Sequence, residues 1–449
     1  MRHINLAISS LIAFFAIIIP CHAAESLAEL AALREAYTQP VPWLADRDKE
    51  RFFRGRSLFR QSWVAPPAQD KAVGLGPLYN RLACISCHQK NGRGSSPRLA
   101  NERMLSMLVR LSVPGTDEHG GPKPHPVYGG QLNEEGVPGV PGEGRAAIHW
   151  LELTPETLAG HEVISLRRPL VSFENLAYGK PGTLLYSLRV GQPVYGLGLL
   201  EAVPEASILA MAAETKPDGV KGRVNQVWDA AAQRATLGRF GFKANAPNLR
   251  QQIAGAMVGD IGITSPLFPD ENCTPAQEAC RQAPSGGHPE LSQTDLEAIE
   301  FYLANIDAPA RRKRDDPQVR QGEQAFGEFG CAVCHRPTLQ TGAGTRILIT
   351  AERSIAPYSD LLLHDMGPGL SDHRPDYQAS GSEWRTPPLW GIGLVPLINE
   401  HNQYLHDGRA RNLQEAILWH GGEARPARQR YARATPEKRQ ALLAFLQSL

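Results

Sequence analysis

At 449 residues the chain is long enough for two or more domains and a sizeable core. Its 42% hydrophobic and 21% charged residues suit an ordinary globular protein and exclude a disordered or fibrous one. Lys and Arg number 47 against 46 Asp and Glu, so a formal charge of +1 gives no reason to invoke nucleic acid or an anionic membrane as partner.

The chain opens with Arg2, an apolar stretch over 6–19 and the small-residue end Cys21-His22-Ala23. This reads as a secretory signal over 1–24, its apolar run short for a membrane span. The expected location is therefore the periplasm. No later segment is long and apolar enough to span, so no integral membrane segment is expected in the mature chain.

Alanines and leucines over 25–46 predict a helix. The chain then passes Gly74-Leu75-Gly76-Pro77 and reaches Cys84-Ile85-Ser86-Cys87-His88. Two thiols three positions apart, followed at once by histidine, form the attachment sequence of c-type haem. The thiols add to the haem vinyl groups as thioethers, and the histidine is placed to bind iron. The rival reading is a redox CxxC or half a zinc site. Asn91-Gly92-Arg93-Gly94 begins a loop able to wrap a haem edge. Arg93 there either meets a propionate or faces solvent.

Runs at 104–113 and 146–153 favour strands, and 161–174 continues in that style. Between them, 120–144 is dense in glycine and proline and reads as loop. A glycine-punctuated apolar stretch over 191–205 carries Gln192 and Glu201. A turn at 216–223 holds the single carboxylate Asp218, too little to argue for calcium. Of the seven cysteines, one lies in the signal and four in haem motifs. Cys273 and Cys280 remain, and an exported compartment permits a disulfide between them; two free thiols are the alternative.

A helix is predicted over 291–306, with Ser292 and Asp295 as a loose capping box and Leu296, Ile299, Leu303 and Ile306 on one face. The stretch 308–316 reads as a charged linker. Asp316-Pro317 opens the next helix, whose inner face is Val319, Gly322 and Phe326. It leads to Cys331-Ala332-Val333-Cys334-His335, the second haem motif. Thr435-Pro436 starts a closing helix with the apolar stripe Leu442, Phe445, Leu446 and Leu449.

Helix, haem motif, wrapping loop and closing helix thus occur twice. The expected fold is mainly α, with two cytochrome c-like domains. The first, 25–307, is interrupted over about 101–290 by a loop-rich insertion with some β-sheet; the second is 317–449. Each haem iron needs a sixth ligand or an open position. His420 is the strongest candidate for the second haem. Asn412 and Glu415 cap a helix that puts Leu413, Ala416, Ile417 and His420 on one apolar face, stopped by Gly421-Gly422. Met366 is its rival. His406, beside Asp407 and Arg409, either moves protons near the haems or is structural. Trp384 and Trp390 either lie between the haems or pack in the core.

Taken together, CISCHQKNGRG, PVYGGQL, RFGFKANAPNLRQQIAGAMVGDIGITSPLFP, CAVCH, PYSDLLLHDMGPGL, EWRTPPLWGIG and YLHDGRARNLQEAILWHGGEA resemble the bacterial di-haem oxidoreductase family, also labelled thiol oxidoreductases. That family is distantly similar to the di-haem cytochrome c peroxidases. The resemblance implies two covalent haems, with His88 and His335 as proximal ligands. It also implies peroxide or a related oxidant as substrate and a small redox protein such as a c-type cytochrome as partner. In the peroxidases a methionine stands where this chain has His420, so the second haem here is expected at a lower potential. Candidates for the catalytic acid/base are His406, Glu201 and Gln192. The alternative is a non-catalytic di-haem electron-transfer cytochrome.

Overall fold

The structure, a computed structural model, describes residues 22–343 and 352–449. The apolar leader lies outside the described residues, except for its last three residues, which open helix α1 (His22–Arg34). The principal later helices are α2 (Lys49–Arg60), α3 (Leu249–Ala256), α4 (Gln293–Ala304), α5 (Pro317–Glu328), α6 (Leu413–Leu418) and α7 (Pro436–Ser448).

Caps set where these helices begin. Ser292 Oγ accepts from the Asp295 N–H, and Asp316 accepts from the N–H groups of Gln318 and Val319 with Pro317 at the first position. Thr435 caps α7 in the same way. The helices then pair. α2 crosses α4 at Gly55, where a Cβ would lie 2.0 Å from the Ala298 carbonyl oxygen. α5 crosses α7 at Gly322, where a Cβ would lie 1.9 Å from the Ala441 carbonyl oxygen. In each pair a missing side chain lets two backbones touch, and each pair stands beside one CxxCH motif.

The fold class departs from expectation. Helix makes up 31% and strand 17%, so the chain is mixed rather than mainly α. Strand is spread over many short antiparallel pairs. The longest are β1 (Met107–Ser112) with β4 (Leu185–Val190), and β2 (Arg145–Glu152) with β3 (Arg167–Glu174). In β1, Met107, Val109 and Leu111 alternate inward onto Met104, Tyr128 and Leu188. Other pairs are only two to four residues long, such as Leu363–Asp365 with Glu383–Arg385.

Burial ties the chain together across the expected linker. The largest apolar cluster holds Phe52, Phe59, Leu249 and Tyr302, and also Leu362, Trp390 and Ile398 from beyond 316. A second surrounds α5 and α7 with Phe326, Tyr358, Trp419 and Phe445. Cys273 and Cys280 are bonded to each other, with Cα atoms 5.7 Å apart.

Candidate active-site cavity

The two CxxCH motifs are built alike. Cys84–Cys87 is one helical turn, and the His88 N–H reaches the Cys84 carbonyl at 3.0 Å. The His335 N–H reaches the Cys331 carbonyl at 2.9 Å. Phe59 of α2 lies 6.2 Å from the His88 ring, and Phe326 of α5 lies 6.4 Å from the His335 ring. His88 Nδ1 is 2.7 Å from the Gln192 carbonyl oxygen and His335 Nδ1 is 2.9 Å from that of Tyr358. A carbonyl can only accept, so Nδ1 carries the proton in both rings. Each Nε2 is left with a free lone pair, the form that binds metal. Cys84, Cys87, Cys331 and Cys334 are free thiols. Burial pushes Cys84, Cys87 and Cys331 up to about 12.

His420 faces His335. Asn412 Oδ1 accepts from the Glu415 N–H at 2.8 Å and starts α6, which ends at Leu418. His420 follows the C-cap Trp419, its N–H on the Ile417 carbonyl and its Nδ1 2.7 Å from the Ala416 carbonyl oxygen. By the same logic its Nε2 is free. The His335 and His420 rings have centroids 6.4 Å apart. Two metal–nitrogen bonds of about 2 Å plus two ring radii make roughly 6–6.5 Å, so this spacing suits one metal held between two imidazoles. Burial holds both rings below their ordinary value, His335 down to about 4, so both are neutral near pH 7.

Both motifs open into one cavity of about 690 Å³, lined by Cys84, Cys87, His88, Cys331, Cys334, His335 and His420. Met366 also lines it, as do Trp384 and Trp390. Arg93 is half-buried there and donates from Nε to the Gln403 carbonyl at 3.0 Å and from Nη2 to that of Leu405.

The acid/base candidates separate. His406 lines the cavity, stacks on Trp384 at 3.7 Å and is pushed down to about 4 by burial. Asp407 beside it is held at about 2: burial opposes the charge, but Arg409 stabilises it at 2.7 Å. Gln192 lines the cavity too, on the side where its carbonyl orients His88. Glu201 is turned away from this work: its Oε1 accepts the Leu249 N–H at 2.7 Å, at the start of α3. Asp218 is paired with Arg430 at 2.7 Å.

One group escaped the sequence. His364 sits between Asp360, 2.9 Å from Nε2, and Glu423, 2.7 Å from Nδ1, and 3.6 Å from Cys334 Sγ. Burial opposes its charge, yet hydrogen bonds with Asp360, Cys334 and Glu423 raise it to about 12. Asp360 and His364 are four apart, which hinted at contact, but Glu423 is 59 residues away and gave no signal. Cys334, Asp360 and His364 also form a group of ligand type. Its thiol belongs to the second motif and its imidazole is already saturated.

The four thiols and three imidazoles are the groups here that can hold two haems. No curated protein matches the chain. Residues 29–449 match the family described as "Di-haem oxidoreductase, putative peroxidase", and a match over nearly the whole chain makes this protein a member of that family of haem oxidoreductases.

Proposed function

We propose that the protein is an exported di-haem oxidoreductase of peroxidase type, with both haems c-type and covalently attached. Cys84 and Cys87 would hold one haem with His88 as an iron ligand, and Cys331 and Cys334 would hold the other with His335 and His420 as iron ligands. The observation that carries this reading is an asymmetry. His335 is opposed by a second imidazole 6.4 Å away, whereas among the described residues the aromatic contact of His88 is Phe59. We read the His335 site as the one for electron transfer and the His88 site as the one that takes the oxidant.

Haem supplies one-electron chemistry and, where an axial position is open, a place for oxidant to bind. The chain does the rest. The Gln192 carbonyl fixes the tautomer and rotation of His88. Apolar walls from Phe59, Leu249 and Ile253 keep bulk water from the first site. His406, neutral at pH 7, is the acid/base candidate best placed to take up a proton inside the cavity and return it. Electrons arrive from a small redox protein such as a c-type cytochrome, in the periplasm, and hydrogen peroxide is the oxidant.

Stopped-flow mixing with peroxide tests this. The half-reduced or reduced protein is expected to show a peroxide-dependent spectral change and turnover with a reduced small cytochrome. If no form responds and no turnover occurs, the protein is a non-catalytic electron carrier instead.

A further inference from the structure

Three guanidiniums meet in the cavity wall where β1 and β4 face the loop 372–377. Arg110 comes from β1, Arg189 from β4 and Arg374 from the loop, and all three line the cavity with Asp376. Asp376 Oδ2 accepts from Arg189 at 3.0 Å and from Arg374 at 3.3 Å. Arg189 Nε also reaches Ser187 Oγ, and Arg374 Nη2 reaches the Leu111 carbonyl. Arg110 donates to a neutral acceptor, Gln131 Oε1, at 3.0 Å and forms no ion pair among the described residues. The Nε atoms of Arg110 and Arg374 are buried without an acceptor, and Arg374 is only 2% exposed.

The charges do not balance. Three cations share one carboxylate in contact. The next carboxylates are engaged elsewhere: Asp260 accepts from Gln131 Nε2 at 2.8 Å, and Asp372 pairs with Lys243 at 3.1 Å. Arg110 is held below the ordinary arginine value by burial and then by Arg189, and Arg374 by burial and then by Arg189 and Arg110. Buried guanidinium N–H groups without acceptors are costly, and their rigid forks match a carboxylate. Arg93 and Arg385, elsewhere in the wall, differ: their Nε atoms donate to backbone carbonyls.

We propose that Arg110, Arg189 and Arg374 form a carboxylate-binding site inside the cavity, completed by a haem propionate or by a small anionic substrate. The propionate source rests on the two-haem reading above, which a haem count on the same samples checks separately.

The test uses the holoprotein with Arg110→Gln, Arg374→Lys and Asp376→Asn. Two quantities are measured: the haem midpoint potentials, and binding of acetate by calorimetry. If a propionate fills the site, removing a nearby cation disfavours the reduced haem. Arg110→Gln then lowers one midpoint potential, Asp376→Asn raises it, and Arg374→Lys, which keeps the charge, leaves it in place. If the ligand is a free anion, acetate binds the parent protein and binds Arg110→Gln at least about tenfold more weakly, as loss of a charged hydrogen bond implies. Asp376→Asn and Arg374→Lys keep the test informative should Arg110→Gln fail to fold. Shifts of the same sign in Arg110→Gln and Asp376→Asn would indicate general disruption and overturn the site. Unmoved potentials together with no acetate binding would overturn it too.

Discussion

His406 is the residue whose chemistry is easiest to isolate. It is buried on Trp384 and pushed down to about 4, against an ordinary value of about 6.5. As pH falls, the unfolded chain takes up this proton before the folded one does. The contribution is therefore present above about pH 6.5 and is lost as pH falls toward the folded value, up to about 3 kcal/mol in all. Denaturant unfolding between pH 7 and 4 is expected to show this loss, and His406→Phe, which keeps a ring on Trp384, to flatten it. An equally steep profile in the variant would show that other groups carry it. At this scale the two CxxCH motifs were legible because their spacing is local, and the structure builds both alike. The cap that starts the helix before His420 was legible because it is local as well. The His364 clamp was not, since its second carboxylate arrives from another element. Glu201 misled for the opposite reason. A glycine-rich stretch has no periodicity to show which way a carboxylate points, and here it points at the start of α3.

Among the elements, the two helix crossings set the frame for the motifs. A methyl at Gly55 or Gly322 meets a backbone oxygen at about half a van der Waals contact, and backbone yields poorly. Gly55→Ala and Gly322→Ala are each expected to destabilise the holoprotein by about 1–3 kcal/mol or more. Gly327, also in α5, has nothing within 4 Å of the place a methyl would occupy, so Gly327→Ala is expected to be neutral or to stabilise by about 0.5–1 kcal/mol. Equal effects at Gly322 and Gly327 in chemical denaturation would remove the crossing from the explanation. These helices were legible from caps and apolar stripes: Ser292, Asp316, Thr435 and Asn412 all cap as read. The class was not. Two-residue strands such as Leu78–Tyr79 with Glu135–Gly136 are shorter than any alternation that a sequence can display, and together they make the fold mixed.

For the whole molecule, one cavity serves both motifs, so losing one haem is expected to leave the other attached but chemically altered. Cys87→Ala and Cys334→Ala are each expected to weaken covalent attachment at their own motif, seen as haem extracted by acid acetone, while a pyridine haemochrome assay of the parent protein gives two haems per chain. Retention of both haems in both variants would argue against thioether attachment. The central claim is the asymmetry of ligation, and EPR of the oxidised protein reads it most directly. One low-spin signal is expected from the site closed by His335 and His420 and one high-spin signal from the His88 site, with His420→Ala converting the first to high spin. Two low-spin haems in the parent protein, or an unchanged spectrum in His420→Ala, would contradict it.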